Sequence, residues 1–177
     1  MTMMWITVSF NYYLIGLFLK YIPGDIFQNT FVSGISELAA VLLSGILLEK
    51  FNAKVTLLSL FLISGISGLY LIQNENGGLL TSVTIMSCKF GISAAFNVVY
   101  IITAAMFKAK IAATAFGVCN FFARFATIMA PFVAEWPSPL PISILSTLCF
   151  IASLMVLWIN NPIEYTDIGK EEFTPIT

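Results

Sequence analysis

Residues 79–107, LLTSVTIMSCKFGISAAFNVVYIITAAMF, form an apolar run in which Lys89 is the only charged side chain. About 20 apolar residues in a helix cross a bilayer core, so this stretch is long enough to span one with a tilt or a projecting end. Its polar residues are ordered. Lys89, Ser93, Asn97 and Tyr100 recur at i, i+4, i+8 and i+11, with Phe96 beside them, which places them on one helical face. Ser87, Gly91 and Ala95 make a small-residue row on another side, a pattern that lets a neighbouring helix approach closely in lipid. One face is expected to line something polar and the other to pack.

The rest of the chain has the same character. Of its 177 residues 59 % are apolar and 10 % charged, against roughly 45–50 % and about 25 % in a soluble domain. The 8 Lys+Arg and 9 Asp+Glu are too few to cover the surface that a soluble domain exposes. A mean hydropathy of +0.94 places the chain among polytopic membrane proteins. Cutting at clusters of Pro, Gly, Asn and charge leaves six expected spans: Met3 to Ile22, Thr30 to Leu48, Val55 to Ile72, Leu79 to Phe107, Ile111 to Val133 and Ile142 to Ile159. The fold class is therefore an all-α membrane protein, with a six-helix bundle over residues 1–162 and a short polar cytoplasmic tail over residues 163–177 that carries Glu164, Asp167, Lys170, Glu171 and Glu172. The first span lacks a basic leader region and a small-residue cleavage site, so it reads as a mature helix and not a secretory signal.

Composition also limits the chemistry. There is no histidine, which removes imidazole catalysis and the common zinc sites. Cys88, Cys119 and Cys149 are widely separated within apolar runs and read as small buried residues. A net charge of −1 without a basic block gives no footprint for nucleic acid. Glu37 is the only acid within a span, so intramembrane hydrolysis by paired carboxylates is excluded; Lys89 and Ser93 could form a Ser-Lys dyad only by a spacing that is common by chance. No enzyme and no cofactor are expected.

Basic residues between spans fix the expected orientation. Lys50, Lys54, Lys108, Lys110 and Lys170 fall on one side and only Lys20 on the other, so both termini are expected in the cytoplasm.

Three charges lie inside spans: Glu37, Lys89 and Arg124. Each costs about 2.5–3.5 kcal/mol at a helix centre, so each should face protein or water. Asn120, Arg124 and Thr127 share a face of the fifth span, with Ala109, Ala113 and Gly117 as its small-residue row. Ser33, Glu37 and Ser44 share a face of the second, while the first offers Ser9, Tyr12, Tyr13 and Gly16. A polar cavity between spans one, two, four and five, with aromatic walls and fixed charges for an organic ion, fits this pattern. A purely structural alternative has Glu37 neutralise Lys89 or Arg124 with no ligand involved.

Several stretches match a family pattern in order and spacing: Ser9-Phe10-Asn11-Tyr12-Tyr13, Gly24-Asp25-Ile26-Phe27, Ser33-Gly34 through Glu37, Lys89-Phe90-Gly91-Ile92-Ser93-Ala94-Ala95-Phe96-Asn97, Gly117-Val118-Cys119, Ala123-Arg124 and Ala130-Pro131-Phe132. On these, over about residues 5–133, the chain resembles the carboxy-terminal half, helices seven to twelve, of the organic cation, anion and carnitine transporters of the major facilitator superfamily. The resemblance implies six spans with both ends cytoplasmic, a plasma-membrane location, and transport of organic ions by alternating access between two six-helix halves. It further implies aromatic contacts from Tyr12, Tyr13 and Phe96, and the acid of helix eight at Glu37. The helix-eleven position that separates substrate charge classes falls at Arg124, which favours anionic or zwitterionic solutes. Lys89, Asn97 and Asn120 complete the expected substrate-binding set.

Two loops depart from the pattern. Where the family reads Thr-Ala-Glu-Leu-Tyr-Pro and then an arginine, this chain has Thr103-Ala104-Ala105-Met106-Phe107-Lys108 and then Ala112. The acid-Arg-x-Gly-Arg-Arg-Pro loop is here Glu49-Lys50-Phe51-Asn52-Ala53-Lys54-Val55. These clusters latch the halves in the family, so their loss implies altered gating. A six-helix half alone would turn its charges toward lipid, so the expected partner is a second half: a separate chain, a missing amino-terminal half or a second copy of this one. The alternative is a truncated, non-transporting fragment or regulatory membrane protein.

Overall fold

The structure, a computed structural model, describes residues 1–22, 25–73, 79–107 and 109–158, without the side chains of residues 109 and 110. Its helices are α1 (Thr2–Phe18), closed by a 3₁₀ turn Leu19–Tyr21, α2 (Ile26–Lys50), α3 (Ala53–Gln73), α4 (Leu79–Met106), α5 (Ala109–Thr127), α6 (Ala130–Ala134) and α7 (Leu140–Leu157). There is no strand among the described residues. Six segments are long and apolar enough to cross a bilayer, with α5 and α6 together supplying the fifth. The protein is an all-helical membrane protein. The polar turns around residues 23–24 and 74–78, Lys108, and the tail with its boundary at residue 162 lie outside the described residues.

Local chemistry accounts for where the helices differ from expectation. α2 begins at Ile26 and not Thr30, because the Asp25 carboxylate accepts from the Phe27 N–H at 3.0 Å and caps the first turn. α7 begins at Leu140 and not Ile142, with Pro141 in its first turn, where a missing N–H costs nothing. The expected unbroken fifth helix is divided, since α5 stops at Thr127 and α6 starts at Ala130. Pro131 provides the cause: its ring would clash with the carbonyl four residues back, at Thr127, so the helix cannot run through.

Along α2, packing is inverted relative to a helix of a soluble bundle. Lipid is as apolar as leucine, so association rests on close packing and hydrogen bonds between small and polar residues. α2 buries Asn29, Ser33, Ser36, Ala40, Ser44 and Leu48 and leaves Phe27, Phe31, Leu38 and Leu42 outside. Across this seam the Ser36 hydroxyl donates to the Met86 carbonyl of α4 at 2.9 Å. α4 lies at the centre. Its Gly91 faces α3 so closely that an added Cβ would stand 2.7 Å from the Leu60 carbonyl oxygen, so this member of the expected row packs against a neighbouring helix. On the same α3–α4 seam the Ser64 hydroxyl donates to the Cys88 carbonyl at 3.2 Å. The corresponding row on the fifth span is corrected. A Cβ added at Gly117 would have nothing within 4 Å and Ala113 is exposed; the buried positions are instead Cys119 and Ala123, turned toward α1. Cys88, Cys119 and Cys149 are all buried free thiols.

Contacts fix which helix ends lie together. Trp5 donates through its indole N–H to Thr103 at 2.9 Å, pairing the start of α1 with the end of α4, and Lys54 donates to the Leu157 carbonyl at 2.8 Å, pairing the start of α3 with the end of α7. Met1, Lys50 and Lys54 thus share one end of the bundle. Lys20 and Glu135, 2.6 Å apart, mark the opposite end.

Candidate functional site

The α4 face of Lys89, Ser93, Asn97 and Tyr100 meets α1 and α2 halfway along the bundle. Lys89 is buried, and its ammonium stands 3.7 Å from the centre of the Tyr12 ring and 3.9 Å from Glu37 Oε2. It also donates to the Tyr12 carbonyl at 3.4 Å. The Tyr12 hydroxyl donates to Glu37 Oε1. One cation, one carboxylate and one phenol from three helices therefore form a closed group in which each partner compensates the others' removal from water. The pairing of Glu37 with Lys89, one of the structural alternatives left open by the sequence, is the pairing found.

Arg124 stands apart from this group. It is exposed, its Nη1 donates to the Tyr13 hydroxyl at 2.7 Å, and its guanidinium carbon lies 5.7 Å from the Tyr13 ring centre. Among the described residues no carboxylate lies within 4.0 Å of it. Tyr12 and Tyr13 meet edge to face at 5.4 Å, so the two charged groups adjoin through neighbouring residues of α1. Asn120, one turn before Arg124, is half-buried and makes no hydrogen bond among the described residues.

An aromatic column runs from these tyrosines toward the Met1 end. Tyr12 and Phe96 are 5.7 Å apart, Phe96 and Tyr100 5.1 Å, and Tyr100 and Trp5 4.3 Å, with Phe116 of α5 closing on Tyr100 at 5.9 Å. Beside it an open groove of about 440 Å³ lies between α2 and α4, lined by Val41, Ser44, Gly45, Phe96, Asn97, Tyr100 and Ile101. That volume suits a small organic molecule.

This groove takes its lining from α2 and α4, two of the four spans from which the expected cavity is drawn. Phe96, Asn97 and Ser44 line it as expected. Tyr12 and Glu37 adjoin it, whereas Tyr13, Asn120 and Arg124 lie off it on the α1–α5 side. Ser9 is buried, and Gly16 is exposed. Asn97 is partly occupied, since its amide donates to the Ser93 carbonyl at 3.2 Å.

Some polar residues escape a reading by sequence. Asn11 is buried and donates both to the Leu145 carbonyl and to Cys149 Sγ at 3.3 Å, tying α1 to α7. Its neighbours Tyr12 and Tyr13 stand out through their rings; a lone amide between aromatics gives no periodic signal. Val41, Gly45 and Ile101 are uncharged members of helical runs and can be placed only by the fold.

No protein-family model matches the chain. It is similar to human organic cation/carnitine transporter 2, with 28 % identity over 89 % of this chain and 29 % of that protein. It is similar also to mouse solute carrier family 22 member 4, with 25 % identity over 88 % of the chain and 29 % of that protein, and to Xenopus tropicalis solute carrier family 22 member 15, with 31 % identity over 78 % and 29 %. The chain spans a little under a third of the length of these curated relatives. With six helices long and apolar enough to span a bilayer and this similarity, the chain resembles the carboxy-terminal six-helix half of solute carrier family 22 proteins.

Proposed function

We propose that the chain works as one six-helix half of a carrier for small organic ions, with anionic or zwitterionic solutes favoured over cations. One observation carries this reading. Glu37 is engaged by Lys89 and Tyr12, while Arg124 is exposed and held only by the neutral Tyr13 among the described residues. The charge left for a solute is positive. A guanidinium held through one nitrogen still offers an edge to a carboxylate in bidentate geometry. Arg124 then holds the anionic group with Asn120 and Tyr13 beside it, and Tyr12 and Phe96 supply aromatic surface. Asn97 offers a polar contact in the groove. Lys89 and Glu37 set the field and fix α1, α2 and α4. No bond is made or broken in this scheme, so the chain is a carrier and not an enzyme.

Alternating access requires a second half against which this bundle can rock. The outer faces of α2 and of the fifth span, rich in Phe, Leu and Ile, leave room for one, whether a separate chain, a preceding half or a second copy. Crosslinking in the native membrane is expected to trap a species near twice the 19.4 kDa chain mass or larger, and a strict monomer would remove this part of the proposal. The Lys50 and Lys54 end is assigned to the cytoplasm with both termini, and the plasma membrane is the proposed location.

A second reading, a non-transporting relative that acts by association, draws on Ala105 and Ala112, which stand where the family carries charge. Uptake of a labelled organic carboxylate separates the two. Transport predicts accumulation above that of cells without the chain, abolished by Arg124→Ala and weakened by Arg124→Lys. No accumulation favours association, and accumulation untouched by Arg124→Ala removes Arg124 from the site.

A further inference from the structure

The fifth span lies along α1 on a smooth track. Its buried side chains are Cys119, Ala123, Ala130 and Ala134, at i, i+4, i+11 and i+15, and all are small. At the Met1 end half-buried Phe116 meets Trp5 of α1 edge to face at 5.7 Å; from Cys119 onward no large side chain is fully buried against α1, so the register there depends on polar contacts. There are three among the described residues. Thr2 Oγ1 meets Cys119 Sγ at 3.6 Å near one end, and Arg124 holds Tyr13 at 2.7 Å in the middle. At the far end Glu135 is gripped through both oxygens, by Lys20 Nζ at 2.6 Å and by the Tyr21 hydroxyl. Between the second and third contacts the span is broken at Ile128–Met129, so the Glu135 end is a separate short helix joined to α5 by a turn. The 3₁₀ turn at Leu19–Tyr21 presents Lys20 and Tyr21 side by side to that end.

We propose that Lys20, Tyr21 and Glu135 form a latch that sets the register of the fifth span on α1, and that its release lets α5 shift along the small-residue track. Both charged partners are water-accessible, with side chains 46 % and 60 % exposed, so the latch can open without burying a bare charge. Arg124 lies on the moving element and Tyr13 on the fixed one, so a shift changes how the guanidinium is presented. The latch is independent of which solute, if any, the chain carries.

A native reporter sits at the moving interface. Cys119 is 4 % exposed between α1 and α5, whereas Cys88 and Cys149 belong to the core formed with α3, α4 and α7. N-ethylmaleimide labelling of the three thiols in membranes, followed by peptide mass spectrometry, reads each separately without further mutation. Glu135→Gln is expected to raise the Cys119 rate by up to about fivefold, the scale of an exposed ion pair, with Cys88 and Cys149 unchanged. Combining Lys20→Glu with Glu135→Lys is expected to restore the slow rate. An unchanged Cys119 rate in Glu135→Gln overturns the latch. A rise at all three cysteines also overturns it, because it reports a loosened bundle, and failure of the charge exchange to restore protection removes the ion pair as its basis.

Discussion

The ammonium of Lys89 lies 3.7 Å from the centre of the Tyr12 ring while the Tyr12 hydroxyl donates to Glu37, the carboxylate 3.9 Å from that same ammonium. Tyr12 therefore serves both charges at once, cation through its ring and anion through its hydroxyl. Three helices are joined at one point. The remaining intramembrane charge, Arg124, is left outside the group.

The first prediction concerns that group. Glu37→Leu leaves the buried Lys89 ammonium with only the Tyr12 ring and carbonyl, and is expected to cost about 2 kcal/mol, below the range for fully buried pairs because Glu37 is partly open to water. Glu37→Leu combined with Lys89→Met removes both charges and should recover most of that loss. Thermal melting of the purified chain in detergent checks it: a double variant as unstable as the sum of the two singles would mean that the two charges are not coupled.

Glycines provide a second prediction. At Gly91 a Cβ would stand 2.7 Å from the Leu60 carbonyl, whereas at Gly117 it would meet nothing within 4 Å. Gly91→Ala is expected to destabilise the α3–α4 seam by about 1–3 kcal/mol, and Gly117→Ala to gain up to about 1 kcal/mol from helix propensity. Melting temperatures of the two variants should move in opposite directions; equal losses would contradict the packing described.

The third prediction is a pH dependence at the Lys20 end. The hydrogen bond from Lys20, and then that from Tyr21, hold the Glu135 carboxyl below the usual carboxylate range. A depressed folded-state value means that the stabilisation is fully present above the ordinary carboxylate value of about 4.3 and is lost as pH falls through the depressed one. The stability difference between wild type and Glu135→Gln should accordingly be constant from neutral pH down to about pH 5 and shrink toward zero under stronger acid. A difference that vanishes already between pH 7 and 6 would contradict this.

Much of the fold is legible in the sequence because lipid punishes charge and exposed backbone so strongly that spans and polar faces must declare themselves. The polar stripe of Lys89, Ser93, Asn97 and Tyr100 and the approach at Gly91 can be read from spacing alone. The division of the fifth span is also encoded, in Pro131, but a hydropathy reading passes over a single proline in an apolar run. The site is less legible. Helical spacing shows which residues share a face, not which neighbour that face meets, so Glu37 could have paired with Lys89 or with Arg124. It is the crossing of α2 over α4, away from α5, that decides it. The row of Ala113 and Gly117 misleads for a related reason: a small residue permits close approach without requiring it. The Lys20–Glu135 contact joins residues on either side of four intervening spans and gives no local signal.

Inverting the charge at Arg124 tests whether this residue seats a solute's anionic group. Uptake of a labelled organic carboxylate and of a labelled quaternary ammonium ion should be compared in the wild type and in Arg124→Asp. The wild type is expected to take up the carboxylate, and the variant to lose that uptake by at least about tenfold, the scale of one charge-assisted contact, while gaining the cation. Carboxylate uptake that survives Arg124→Asp, with no gain for the cation, would contradict this role for Arg124.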